Sequence, residues 1–598
     1  MKTFKRLLSY LKDEPLFYGL GFVLSIISAG STIYTPMIGK QIIDVISDNV
    51  KQNQPVSYEF LIQKFGWFML VTVISALTSY SSFLLFAFAS NRVSKNIRDQ
   101  AHEKMQQLPI SYFDDKPAGK ISARIVNDTE VLRNSFYQNF SNQVLINLLM
   151  VIGIYIALFL VSPDVGLALL LLLPFFFVWQ LIYIRIATPI NKNWREIISE
   201  LNSLTAEIIQ GVSIVQLFHQ EEKMLEEFEE KNQAWLNNRI RSIRLDGILS
   251  WDFSTFIKNI VMFFLLLYLG TQFTSGFLGY SMGTIFILIN YLSSLFDPIL
   301  NLVRIMPTLQ QALASGERVF ELLDEAIETD STQPLAFSNG EITFDHVTFG
   351  YDEQNQVLKD IHFKVNPGET VGLVGHTGSG KSSLINLLFR FYDPQEGAIL
   401  IDNQPIAKCN RESVREKMGI VLQEPYLFSG TIASNVSMQD QRITDEMIIQ
   451  ALEKVGAQPL LAKLPQGIHE EVIEKGQSLS SGERQLIAFA RTLAKNPKIL
   501  ILDEATSHID TETEAIIQNA MNVVKEGRTT FIIAHRLSTI QQADQILLLD
   551  QGEIKEHGTH AQLLALDGQY AQMYRLQAKS AQGYGGKDSW SKHSKHLG

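Results

Sequence analysis

The stretch GETVGLV (Gly368–Val374) running into GHTGSGKSS (Gly375–Ser383) decides how this 598-residue chain is read. Seven residues with strand character lead into G-x-x-x-x-G-K-S, and the following SLINLLF continues with helical character. In that strand–loop–helix setting the pattern is a phosphate-binding loop. Glycines Gly375, Gly378 and Gly380 let the backbone N–H groups of the loop, from His376 and Thr377 through Ser379 to Ser383, close around phosphate oxygens. Lys381 is placed to reach the β- and γ-phosphates, and the Ser382 hydroxyl to ligate Mg²⁺.

Working outward, Ile499–Leu502 (ILIL) reads as a buried strand that delivers Asp503 and Glu504 at its end. Two acids there could simply cap the next helix. Beside a phosphate loop they are better read as an Asp that holds the metal through its water shell and a Glu that acts as general base on the attacking water. Glu341–Phe349 and Gly368–Val374 read as further strands and Ser382–Phe391 as a helix. The expectation is an α/β nucleotide-binding domain over 335–578, reached through a charged connector over 317–334. A polar tail over 579–598 is too poor in apolar residues to pack.

Everything before about residue 306 has a different character. Six apolar stretches of roughly bilayer length occur, near Leu16–Ile38, Trp67–Ser90, Val144–Val161, Val165–Ala187, Phe253–Phe273 and Met282–Ile305. Runs such as LALLLLLPFFFV (Leu167–Val178) are too uniformly apolar for a surface helix. The segments between the second and third spans and between the fourth and fifth are rich in Lys and Arg, including Arg92, Arg98, Arg124, Arg195 and Arg239. The opposite loops carry only Lys40, Lys51 and Lys64. The positive-inside rule then puts the long loops, the N-terminus and everything after the sixth span in the cytoplasm. Residues 1–15 read as an interfacial helix and 16–316 as a six-span domain whose long loops are helical continuations of the spans. Lys+Arg 51 against Asp+Glu 62, a net charge of −11, argues against a nucleic-acid partner. A single cysteine, Cys409, leaves no disulfide or thiolate metal site and suits a reducing compartment.

With these residues in view, the chain resembles the ATP-binding cassette exporters whose membrane and nucleotide domains share one chain. Tyr351 in VTFGY is similar to the aromatic that stacks on adenine, and Gln423 in VLQEP to the glutamine that links Mg²⁺ to the membrane loops. LSSGERQ (Leu479–Gln485) resembles the signature sequence, SHID (Ser507–Asp510) the loop joining two nucleotide sites, and His535 in IIAHR the switch histidine on the γ-phosphate. Leu108–Leu132 and Gly211–Gln220 resemble the coupling regions. The resemblance implies ATP and Mg²⁺ as cofactors, a six-helix membrane domain fused to an α/β ATPase, and a bacterial plasma membrane. It also implies a second half-transporter, with each ATP lying between one chain's phosphate loop and the other's signature.

The usual signature reads L-S-G-G-Q; here Ser481 and Glu483 replace its first glycine and its glutamine. A carboxylate in the first helical turn suits an isolated helix but opposes an incoming triphosphate. Ser480 and Glu483 also form an S-x-x-E capping box. With Glu504 intact, the chain resembles one member of a heterodimeric pair. Its own Lys381, Asp503, Glu504 and His535 would serve the competent site, and its Ser480 and Gly482 would face a degenerate one. A homodimer is the alternative. The resemblance implies small amphiphilic substrates of the multidrug kind, with lipid or peptide as the second choice. The aromatics Phe175, Phe176, Phe177, Trp179, Phe263 and Phe264 either line a cavity for such compounds or face membrane lipid.

Overall fold

The computed structural model describes residues 2–584 except 115, 250, 276–279, 329, 353–354, 504–510 and 535–536. Two compact units divide the chain, residues 1–108 with 116–326 and residues 109–115 with 327–598.

The first unit contains six helical segments long and apolar enough to cross a membrane: Pro15–Lys51, Tyr58–Gln106, Ala118–Val161, Pro163–Gln210, Glu221–Thr271 and Met282–Asp324. At 1.5 Å per residue the 49-residue second segment is about 70 Å long, over twice the hydrocarbon thickness, so the loops expected to be helical continuations are indeed that. One break falls where a proline removes a backbone donor. Pro174 has no N–H for the carbonyl of Leu170, and the fourth segment turns at Leu171 before resuming over Leu172–Gln210.

Apolar surface cannot drive helices together where lipid is equally apolar, so close approach depends on small residues. Gly21, Ser25, Ser28 and Ala29 form such a stripe on the first segment. Ser25 Oγ meets Ser82 Oγ of the second segment at 2.7 Å, Ser82 also donates to the Gly21 carbonyl, and a Cβ on Gly21 would touch the Phe86 ring at 3.2 Å. The sixth segment is the most enclosed, with Ile287, Leu288, Tyr291, Leu292 and Leu295 essentially inaccessible. Phe176 packs edge-on against Phe296 at 5.3 Å and Trp179 lies 5.0 Å from Phe253. Those two aromatics are therefore core, whereas Phe175, Phe177, Phe263 and Phe264 are exposed, and Phe264 lines a cavity of about 430 Å³ with Leu169, Leu172, Val261 and Tyr268.

Beyond the apolar stretches the segments share a second core of Leu7, Val93, Ile97, Leu132, Phe136, Ala312 and Val319. The helix Lys2–Ser9 enters it through Leu7, whose carbonyl accepts from Tyr137 Oη, while Arg6 pairs with Asp324 at 2.6 Å and lies over Phe320. The connector expected from residue 317 is helical as far as Asp324. Val319, Phe320 and Leu322 are buried on that turn, and the packing extends the helix through a charged sequence.

In the second unit, strands β1 (Ile342–Phe349), β2 (Leu358–Val365), β3 (Thr370–Val374), β4 (Glu396–Ile401), β5 (Gln404–Pro405), β6 (Met418–Val421), β7 (Gly430–Thr431), β8 (Glu471–Val472), β9 (Ile499–Asp503), β10 (Thr529–Ile533), β11 (Gln545–Asp550) and β12 (Glu553–Gly558) build three sheets. An antiparallel sheet runs β2-β1-β4-β5, and a larger one runs β12-β11-β3-β10-β9-β6. All pairs of the larger sheet are parallel except the edge pair β11–β12. Strands β3, β9 and β10 are buried along nearly their whole length because both faces are covered, as in parallel sheets generally. Helix Lys381–Leu388 follows the phosphate loop. The last helix, Gln569–Tyr584, runs into the segment expected to be a disordered tail, and residues 585–598 lie outside the described residues.

Candidate functional site

The site is organised by register. In the larger sheet Leu373 of β3 and Asp503 of β9 both pair with Ile533 of β10, while Val421 of β6 pairs with Leu502. Four parallel strands therefore end side by side. Asp503 closes β9 at that edge, and past the other ends come Gly375, Ala534 and, two residues beyond β6, Gln423. The carboxyl edge of an open parallel sheet is where ligands bind in such folds. Glu504 and His535 continue directly from β9 and β10 in sequence but lie outside the described residues, as does Ser507–Asp510.

The loop from Gly375 to Gly380 is backbone-limited. A Cβ on Gly375 would come within 2.2 Å of the Leu549 carbonyl oxygen and 2.5 Å of Ser379 Oγ, so no side chain fits. Gly380, the N-cap of helix Lys381–Leu388, has φ +105°, a left-handed value that disfavours any Cβ. His376, Thr377 and Gly378 are exposed at the tip, Ser379 and Ser383 are buried, and Ser382 is exposed on the first helical turn. Lys381 donates from Nζ to the carbonyls of Gly375 (2.7 Å) and His376 (2.9 Å), with Ser379 Oγ at 3.5 Å. Burial pushes its pKa down, opposed by the Asp503 carboxylate. Asp503 and Lys381 thus face one another electrostatically across the strand ends. The residues fit a polyphosphate: a glycine-limited loop with Lys381 folded over it, an exposed Ser382, and a carboxylate at the end of β9, one strand removed from β3, able to hold a hydrated divalent cation.

Tyr351 is half exposed at the end of β1 and is fixed from three sides. Its hydroxyl lies 3.1 Å from Ser383 Oγ and accepts from Asn386 Nδ2 at 3.2 Å, and its ring stands perpendicular to Tyr392 at 5.1 Å. The aromatic is thereby tied to the helix that follows the phosphate loop. Tyr392, which sequence reasoning missed, also donates to the carboxylate of Asp114 on helix Ile110–Asp114. That short helix, within the first region resembling a coupling segment, clusters with the nucleotide unit. The second such region forms helix Val212–Leu217, where Val212, Ile214 and Leu217 are exposed.

Ser480 is the N-cap of helix Ser481–Lys495, and the capping box is fully formed. Ser480 Oγ accepts from the Glu483 N–H at 3.2 Å, and Glu483 Oε2 accepts from the Ser480 N–H at 2.8 Å. Gly482 is buried in the first turn. Lys463, far enough upstream to carry no local signal, stands 3.6 Å from Glu483. Burial would raise the Glu483 pKa, but the Ser480 hydrogen bonds and Lys463 outweigh it and hold the carboxyl below its ordinary range.

Residues 18–299 match the family described as "ABC transporter transmembrane region" and residues 358–507 the family "ABC transporter". The chain is similar to the probable multidrug resistance ABC transporter ATP-binding/permease protein YheH of Bacillus subtilis, 48% identical over 84% of this chain and 75% of that one. It is similar to the putative ABC transporter ATP-binding protein exp8 of Streptococcus pneumoniae, 41% identical over 96% and 97% of the two chains. Among solved structures, a bacterial Atm1-family ABC exporter with ATP bound superposes with a TM-score of 0.77 at 28% identity, covering 93% of this chain and 98% of that one. With a six-helix membrane unit, a phosphate loop on a parallel sheet edge, and relatives aligned along most of its length, this chain belongs to the ATP-binding cassette exporters, in which ATP hydrolysis is coupled to export.

Proposed function

We propose that the protein is one half of a two-chain exporter that moves amphiphilic compounds across a bacterial plasma membrane by alternating access, with its N-terminus and nucleotide unit in the cytoplasm. The observation that carries this reading is the convergence of the phosphate loop, Asp503 and Gln423 on one sheet edge, in the unit that also holds helix Ile110–Asp114. In this reading the loop amides and Lys381 hold the phosphates, Tyr351 supports adenine, and Ser382, Asp503 and Gln423 hold Mg²⁺. When bound, Mg²⁺ neutralises charge on the terminal phosphates. Glu504 takes the proton of the attacking water, and His535 contacts the γ-phosphate. Tyr392 and Asp114 pass the rearrangement to the membrane helices.

The multidrug name of the Bacillus relative supports amphiphiles as substrates. A mycobacterial relative, 34% identical over 88% of this chain, is named a fatty acid transporter and favours lipid as the second reading. The closed capping box with an ionised Glu483 supports a heterodimer over a homodimer, because it places negative charge where a signature helix would meet the partner's ATP.

The deciding experiment measures ATP turnover and oligomeric state of this chain alone in lipid nanodiscs, with Glu504→Gln as control. An inactive or monomeric chain rescued by a co-expressed second half-transporter supports the asymmetric pair. A robustly hydrolysing dimer of this chain alone overturns it in favour of the homodimer.

A further inference from the structure

The antiparallel sheet carries a second cluster of chemically capable side chains. Strands β1 and β2 pair Phe344 with Phe363 and then Val347 with Ile361, so two residues of β1, Asp345 and His346, oppose the single His362 of β2. This is a β-bulge, and His346 adopts a φ of +51° within it. In a regular strand one of two successive residues would turn inward. Here Phe344 and Val347 are buried while Asp345 and His346 are both exposed, as is His362. The bulge thus gathers three ligating side chains, one carboxylate and two imidazoles, on one solvent-facing surface.

Their geometry is that of a site rather than of scattered surface charge. One ligating atom from each of Asp345, His346 and His362 lies within 4.8 Å of the others. The two imidazole rings stack at 4.7 Å, inclined by 21°. His346 Nδ1 is held by Asp360 at 2.5 Å, the carboxylate–histidine pairing that fixes a metal-binding ring and leaves its other nitrogen for the ion. His362 Nδ1 lies 3.5 Å from Asp345. Two carboxylates balance a divalent charge, and two imidazoles with one carboxylate select a borderline transition ion over Mg²⁺ or Ca²⁺, which take all-oxygen shells. Tetrahedral coordination at about 2.1 Å brings donors to within about 3.4 Å of one another, a contraction that exposed side chains reach by small rotations.

We infer that Asp345, His346 and His362, with Asp360 orienting His346, form a binding site for Zn²⁺ or a similar divalent transition ion on the nucleotide unit. Such an ion would tie β1 to β2 across the bulge, on the strand that leads to Tyr351.

The test uses the full chain, untagged, in a His593→Ala/His596→Ala background that removes the tail histidines. Co²⁺ is titrated by its visible ligand-field absorption and Zn²⁺ by calorimetry. A single equivalent per chain is expected, with affinity falling at least about tenfold in His362→Ala and about tenfold in Asp360→Asn. Unchanged far-UV circular dichroism and Tm in metal-free buffer show that the variants are folded. Equal affinity in His362→Ala and its parent, or no uptake at micromolar metal, overturns the assignment. Because neither readout depends on transport or on a partner chain, failure here leaves the proposed export function untouched.

Discussion

Replacing Glu483 by Gln separates two roles of one carboxylate. In the structure Glu483 Oε2 accepts the Ser480 N–H at 2.8 Å. A phosphate oxygen taken up by the neighbouring first-turn N–H groups would then sit roughly 5–6 Å from that carboxylate, and two like charges at this separation repel by about 0.8 kcal/mol in water and about 3 kcal/mol at an effective dielectric of 20. Lys463 at 3.6 Å offsets part of this, and the partly exposed setting screens more, so a net penalty of about 1 kcal/mol, roughly fivefold in affinity, is expected. Gln still closes a capping box, so the helix loses only its charge–dipole interaction and the Lys463 pair, each worth about 0.3–1 kcal/mol. The substitution should therefore tighten ATP at the site facing this signature while slightly lowering Tm. The assay is fluorescent-nucleotide binding by the assembled transporter in a Glu504→Gln background, alongside thermal unfolding. A lower Tm with no tightening would refute the electrostatic argument and leave Glu483 as a helix cap alone.

Four further outcomes are expected. Glu504→Gln should keep ATP binding but lower turnover by about 100-fold or more, measured by phosphate release. In Gly375→Ala the new Cβ would lie 2.2 Å from a backbone carbonyl, so the loop must deform; ATP affinity and Tm should both fall, and an unchanged Tm would contradict the crowding. Tyr392→Phe removes the hydrogen bond to Asp114 and should reduce substrate moved per ATP several-fold, for a loss of about 1 kcal/mol, with basal hydrolysis retained in a reconstituted flux assay. The folded-state pKa of Glu483 lies below its ordinary value, so its contribution is present above the unfolded pKa of about 4.3 and disappears as pH falls through the lower folded value. The Tm difference between the native chain and Glu483→Gln should accordingly shrink across that acid window.

Local pattern carried most of the architecture. Gly375–Ser382 announces its strand, loop and helix because each of those residue types is dictated by nearby backbone, and the ILIL of β9 announces a strand covered on both faces. The parallel register that aligns Asp503 with Leu373 across Ile533 is long-range, and no local period encodes it. The same holds for Tyr392, whose partners Tyr351 and Asp114 are far away in sequence, and for Lys463 beside Glu483. Helix Met306–Asp324 outran the expected connector because Val319, Phe320 and Leu322 find a tertiary core that charge composition alone conceals. Pro174 gives a legible signal for the break at Leu171, but so apolar a run around it predicts one continuous span.

The ammonium of Lys381 already has an acceptor for each of its three protons within the loop. An arriving polyphosphate therefore trades partners with the lysine instead of adding to them, and the count of hydrogen bonds at that nitrogen is conserved. What changes is the charge on its direct partners, from two neutral carbonyls and a hydroxyl to anionic oxygens. Nucleotide capture by this loop should for that reason be weighted toward electrostatics: its affinity will fall with ionic strength, and the bonding heat contributed by Lys381 will be small beside its share of the binding free energy.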